Sequence, residues 1–387
     1  MWTVATGFLA ACDPVTDGTT AKTDGVKVLA GHKDGLGILD TATGQWLVPP
    51  GPAVAAPDHR QLAAVHGNQL DVWTLAGLNR ASVTPLVGSW VPRAVAWDKV
   101  ALVEGPSGNG IYQPAARSVT KIRFTGKEQI LELPGNFEPE AFSADGQRLY
   151  LLDYLPPQKP ELYRVRVLDL TTGQVLPLNT RDKQPIPPGA EETMRGQGHQ
   201  AVFDPANGTL FTLYTHQEGH QHTGELLGVR PGSPDVHAFI HALHLELGWA
   251  YCIDLPKPFG ESGTEGHTLA LGAGQLFAIS AAHGVVARIS PESLNILSTR
   301  DFSPLTGAAS AVATPAGKVF VAAGDKLTDT ETVLPLDRTM HGLALAKDGR
   351  LWTSSDGKAV SIDWQAKKVI SEISVPGLES LHAIVNG

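Results

Sequence analysis

Fourteen histidines are spread through this 387-residue chain, and four of them, His199, His267, His341 and His382, open the first strand of a recurring unit. Arg93 and Glu140 stand at the same place in two further units. If equivalent positions of a repeat lie at one height and radius, these six side chains line one mouth of a central channel and form a ligand-binding surface. Imidazole is the commonest ligand for transition metals, and metal–nitrogen bonds of about 2.0–2.1 Å need such convergence. The ring His199, His267, His341 and His382 is therefore the candidate metal site, with a transition metal as the candidate cofactor. A competing reading has each imidazole bonded to the backbone at the channel rim.

A second group comprises His216, His220 and His222, with His237, His241 and His244 on the returning strand. Strand alternation puts His237 and His241 on one face and His244 on the other. No His-Glu-x-x-His or paired-Cys spacing accompanies them, so the expectation is a polar, solvated hairpin. Cys252 lies within the apolar run Trp249-Ala250-Tyr251-Cys252-Ile253 and reads as a packed core thiol. The Gly-x-Ser-x-Gly elbow and the phosphate-binding Gly-x-x-x-x-Gly-Lys-Ser/Thr loop are both absent, and no acid/base pair stands out among the turn carboxylates. No catalytic residue is nominated.

The elements that must position these groups are short strands. A polar residue, an alternating apolar run, a Gly turn and a second apolar run recur, with turns at Asp145-Gly146, Asn207-Gly208, Ala273-Gly274, Ala316-Gly317 and Asp348-Gly349. A second turn, Asp40-Thr41-Ala42-Thr43-Gly44-Gln45, returns as Asp169-Leu170-Thr171-Thr172-Gly173-Gln174, so each unit is two linked hairpins. Four antiparallel strands repeated radially make an all-β fold, a single β-propeller. Units begin near Ala53, Arg93, Glu140, His199, His267, Ser310 and His341. Residues 26–49 supply the later strands of one more unit, and 381–387 its first strand; pairing these ends closes the ring. The blade count is seven or eight, depending on the short unit at Ser310. A Pro-rich connection over 180–198 and a lengthened hairpin over 216–236 interrupt the rhythm.

Residues 1–25 read as a truncated signal and flexible tether, and 26–387 as the propeller. Leu9-Ala10-Ala11-Cys12 resembles the lipobox of bacterial lipoproteins, which implies lipidation at Cys12 and an extracytoplasmic, membrane-anchored location at the cell surface or in the periplasm. A net charge of −9 without a basic stripe argues against nucleic acid. Membrane contact is expected only through the lipid. His199-Gln200-Ala201-Val202-Phe203-Asp204-Pro205-Ala206-Asn207-Gly208-Thr209-Leu210-Phe211 resembles the YVTN-type repeat of bacterial propellers, and the hairpin from Leu213 to His222 resembles the His-bearing insertion of quinoprotein amine dehydrogenase heavy chains. That resemblance implies a fold and partner binding, since the redox quinone of that family belongs to a separate light chain. Trp97-Asp98 falls in a turn, so the chain departs from WD40 repeats. The leading expectation is a scaffold, monomeric or a subunit of a complex, that binds a protein partner or small ligand on its top face. The alternative is a metal-dependent enzyme or redox subunit with its site at the channel mouth.

Overall fold

Gly-centred turns fold the chain back on itself where the repeats require it. Ala273 and Gly274 both adopt positive φ, 53° and 65°, and join His267–Gly272 to Gln275–Ser280 in a two-residue hairpin. Such a turn matches the right-handed twist of the strands it connects. A computed structural model describes residues 25–385 except 98, 106–114, 127–129, 196–197, 230 and 233–235, with backbone alone at 198–200. The lipobox with Cys12 lies outside the described residues.

Strands form seven hydrogen-bonded sheets, six of four strands and one of eight. The eight-stranded sheet is two blades joined by a single parallel bridge between Gly342 and Leu381. Gly342 has φ +76°, and a Cβ there would collide with the Leu381 carbonyl, so only glycine permits this approach. The ring therefore has eight blades, and the unit at Ser310 is a full one: Ala309–Ala313, Val319–Ala323, Lys326–Thr328 and Val333–Pro335. Blade 1 is completed by the C-terminal strand Leu378–Ile384, which pairs with Lys27–His32. Blades 2 to 8 follow in chain order, their first strands at Ala53–Ala55, Trp90–Ala96, Asn136–Phe142, Gly198–Asp204, His267–Gly272, Ala309–Ala313 and His341–Leu345.

The packing reaches the same count. Eight buried apolar clusters each span two adjacent blades, as Phe211, Leu213 and Ile240 of blade 5 meet Leu269, Leu276 and Ala287 of blade 6. Because both faces of a blade are covered, the inner strands are apolar almost throughout, whereas the outermost, such as Ile296–Asp301, is largely exposed. Blade 5 consists of Gly198–Asp204, Thr209–Thr215, Ala238–His244 and Trp249–Asp254. The 216–236 insertion joins its second and third strands on the face where first strands begin, and the 180–198 connection from blade 4 arrives on that same face.

Candidate metal centre

The six channel candidates do not share one environment. His267 is buried, and both ring nitrogens are engaged by backbone: the Gly260 N–H donates to Nε2 at 3.0 Å and Nδ1 lies 3.2 Å from the Gly263 carbonyl. It pins the loop entering blade 6, and burial, partly offset by the Gly263 bond, pushes its pKa down. His341 is exposed at the start of its strand. His382 is the fifth residue of Leu378–Ile384, at a register shift against Lys27–His32, and lines a cavity of about 1120 Å³ with His59 and Trp364 at the opposite end of the channel. The His199 side chain is outside the described residues. Arg93 and Glu140 each follow a proline at a β-bulge. Arg93 ion-pairs with Glu138, which Arg117 also holds at 3.0 Å. The Glu140 carboxyl has an oxygen, Oε2, without a hydrogen-bond partner among the described residues, and burial raises its pKa to about 7.

The insertion behaves otherwise. His220 and His222 are buried, not solvated as the motif-free spacing suggests, because the blade 4–5 connection folds over them. Gln217 couples the two segments: its Oε1 accepts from the Arg195 N–H at 3.0 Å, its Nε2 donates to the Arg195 carbonyl, and the same Nε2 donates to the Thr215 carbonyl at 3.0 Å. Met194 exchanges both backbone hydrogen bonds with Tyr163 of blade 4. Glu191 and Glu192, just upstream, therefore face opposite ways. Glu191 meets Arg164 at 2.7 Å and Arg166 at 3.0 Å, while Glu192 turns to the histidines.

Three donors converge on Glu192 Oε1: His220 Nε2 at 2.7 Å, His222 Nδ1 at 3.1 Å and the Cys252 thiol at 2.8 Å. His222 Nε2 meets Asp254 Oδ1 at 2.5 Å. Phe239 forms the floor, stacked on His220 with ring centroids 4.4 Å apart and edge-on to His222 at 5.3 Å. On the strand Trp249–Asp254, Cys252 and Asp254 are two residues apart and share a face. Burial opposes charge on Glu192, but hydrogen bonds from His220 and His222 outweigh it and hold the carboxyl well below the ordinary range. Burial also opposes protonation of His222, yet Asp254 and Glu192 on its two nitrogens raise it to about 9. His241, buried beside them, is pushed down to about 4 by desolvation.

One ligand atom each from Glu192, His220 and His222 lies within 4.8 Å of the other two, the one such convergence of at least three His, Cys, Asp or Glu among the described residues. Two imidazoles and a carboxylate suit a tetrahedral transition-metal site with a position to spare. Asp254 stands behind His222 as the outer carboxylate that orients a ligating imidazole. Glu192, His222 and Cys252 also line a cavity of about 590 Å³ between blades 4 and 5, walled by Val165, Ile186 and Leu227. Sequence reading singled out the histidines but assigned them to solvent, and it passed over Glu192 and Asp254. The His220-x-His222 pair was the available signal; its carboxylate partner lies 28 residues from His220, on another segment.

The ring of eight blades and a cluster carried on the connections between them define a β-propeller. Two solved structures share this fold: Citrobacter koseri AztD, with TM-score 0.53 and 14% identity over 94% of this chain and 98% of that one, and apo AztD from Citrobacter koseri, with TM-score 0.52 and 14% identity over 92% and 96%. No protein-family model matches the chain, and comparison with curated protein sequences finds no match.

Proposed function

We propose that this chain is a propeller scaffold that binds one transition-metal ion, of the zinc type, between Glu192, His220 and His222. The observation carrying this reading is the convergence of two buried imidazoles on one carboxylate oxygen, with Asp254 behind. A buried His–Glu–His–Asp chain is a costly arrangement for structure alone, since burial opposes each charge. An ion replacing the shared protons would satisfy the same donors. The rigid ring holds the elements, and the two connections present the ion on the face where first strands begin. On that face a protein partner or small ligand would meet it. The lipobox-like Leu9-Ala10-Ala11-Cys12 and the YVTN-like fifth repeat support an extracytoplasmic, lipid-tethered setting, where such a site would meet metal outside the cytoplasm.

Zinc content after loading and dialysis tests the reading. About one ion per chain is expected, falling below roughly a tenth of that in His220→Ala/His222→Ala, while His341→Ala/His382→Ala keeps it. Equal retention by the first double variant and the unaltered protein would refute the assignment.

A further inference from the structure

The cavity of about 590 Å³ beside Glu192 and His222 has a chemistry of its own. Pockets for small molecules span about 300–1,000 Å³, so this one is large enough to hold a ligand. Its wall is apolar and buried: Val165 and Leu178 come from blade 4 and its outer edge, and Ile186 and Met194 from the blade 4–5 connection. All four belong to the apolar cluster that packs blade 4 against blade 5. Leu227 of the insertion, partly exposed, extends this lining. The polar end is the metal-binding one. Among the three ligands Glu192 is the most accessible, its side chain 14% exposed against 3% for His220 and 4% for His222, and both Glu192 and His222 line the cavity. Phe239 stacked on His220 closes the other side. A position left open on the ion therefore faces the cavity.

The charges decide what suits that position. Two neutral imidazoles and one carboxylate leave a divalent ion with a positive charge uncompensated. The neighbouring charges cancel: Glu191 and Asp153 balance Arg164 and Arg166, and Arg181 and Asp182 on the lining oppose each other. Arg181 is also committed elsewhere, to the carbonyls of Glu292 at 3.1 Å and Ser293 at 3.3 Å and to the Tyr251 ring 5.7 Å away. An enclosed charge without a partner is costly, so the ion calls for an anionic donor, and the wall calls for hydrocarbon. Resting on the metal-binding reading above, we propose that the cavity takes a small organic acid with an apolar body, its carboxylate on the spare position of the ion and its body against Val165, Ile186, Met194 and Leu227. A carboxylate oxygen gives a lone pair to the ion as a water leaves, and no proton or electron moves. The acid is held firmly only when the metal is present.

The test uses the full chain loaded with cobalt(II), whose visible absorption reports its ligands, and titrates it with acetate, butanoate, hexanoate and octanoate. Each should shift the cobalt spectrum, with affinity rising about three- to fourfold per added methylene until the cavity is full. Octanol with the loaded chain, and octanoate with the metal-free chain or with His220→Ala/His222→Ala, should bind about tenfold or more weakly than octanoate with the loaded chain. Leu227→Gln, at a partly exposed position and checked for native folding by its thermal transition, should keep its cobalt and lose octanoate affinity by about threefold or more. Equal affinity for acetate and octanoate, octanoate binding unchanged by metal removal or by Leu227→Gln, or stoichiometric cobalt whose spectrum none of the acids shifts would each overturn the organic-acid site and leave the metal site standing. No bound cobalt or zinc in any form would overturn both.

Discussion

Two groups of histidines, one at the first strands and one in the insertion of blade 5, differ in what surrounds them. At the first strands each imidazole belongs to a different blade, and its neighbours are local: His267 meets the backbone of Gly260 and Gly263, and His382 sits 3.1 Å from the Ser380 hydroxyl two residues away. In the insertion, His220 and His222 meet side chains from two other segments. Repetition spreads equivalent residues around a ring, whereas convergence needs an irregular element that crosses from one blade to the next. The connection over 180–198 is that element.

The contrast is sharpest where the two regions hold buried carboxyls of opposite character. Glu140, at the inner strand of blade 4, is raised to about 7 by burial, so the folded protein takes up a proton on it more readily than the unfolded chain. Stability attributable to that proton is full below about pH 4.5, the unfolded value, and is lost as pH rises through 7. Glu140→Gln should thus stabilise the protein by up to roughly 3 kcal/mol at pH 8 and leave it unchanged near pH 4, as read from denaturant midpoints. Metal content should not move. An unaltered pH profile would mean that Glu140 is solvated or paired and that the two regions do not differ in this way.

Asp254→Asn should do the reverse. By removing the carboxylate behind His222 it should weaken zinc binding 10- to 100-fold in a competition titration. An unchanged affinity would make Asp254 a surface partner only. A smaller effect is expected from Gln217→Ala, which frees the connection from the insertion: about 1 kcal/mol less stable, with zinc affinity reduced severalfold because Glu192 is held less firmly. The same substitution should leave the channel side chains untouched, and a loss of stability without a loss of affinity would show that Glu192 is positioned by Met194 and Tyr163 alone.

In blade 5, spacing alone could not tell a solvated hairpin from a buried cluster. His220 and His222 alternate with polar residues and carry no zinc-type motif. What buries them is Phe239 beneath and residues 191–195 above, neither adjacent in sequence. In the channel, pseudo-symmetry set the expectation that first-strand residues share a height. Arg93, Glu140 and His382 each sit at a bulge in the middle of a first strand, whereas His267 and His341 open theirs, so the candidates do not share one height.

Residue order by itself determined the propeller, the hairpin within each blade and the closure of the ring by the two ends, since these rest on period-two alternation and Gly turns that act over a few residues. Tertiary structure alone settled the Ser310 unit, blade 7, as a full one, by packing a separate apolar cluster against each of its neighbours. It alone also assembled the candidate metal site. Glu192, His220, His222, Cys252 and Asp254 come from a connection, an insertion and an outer strand, and their meeting depends on how those segments fold over the edges of two blades, a relation that no local pattern encodes.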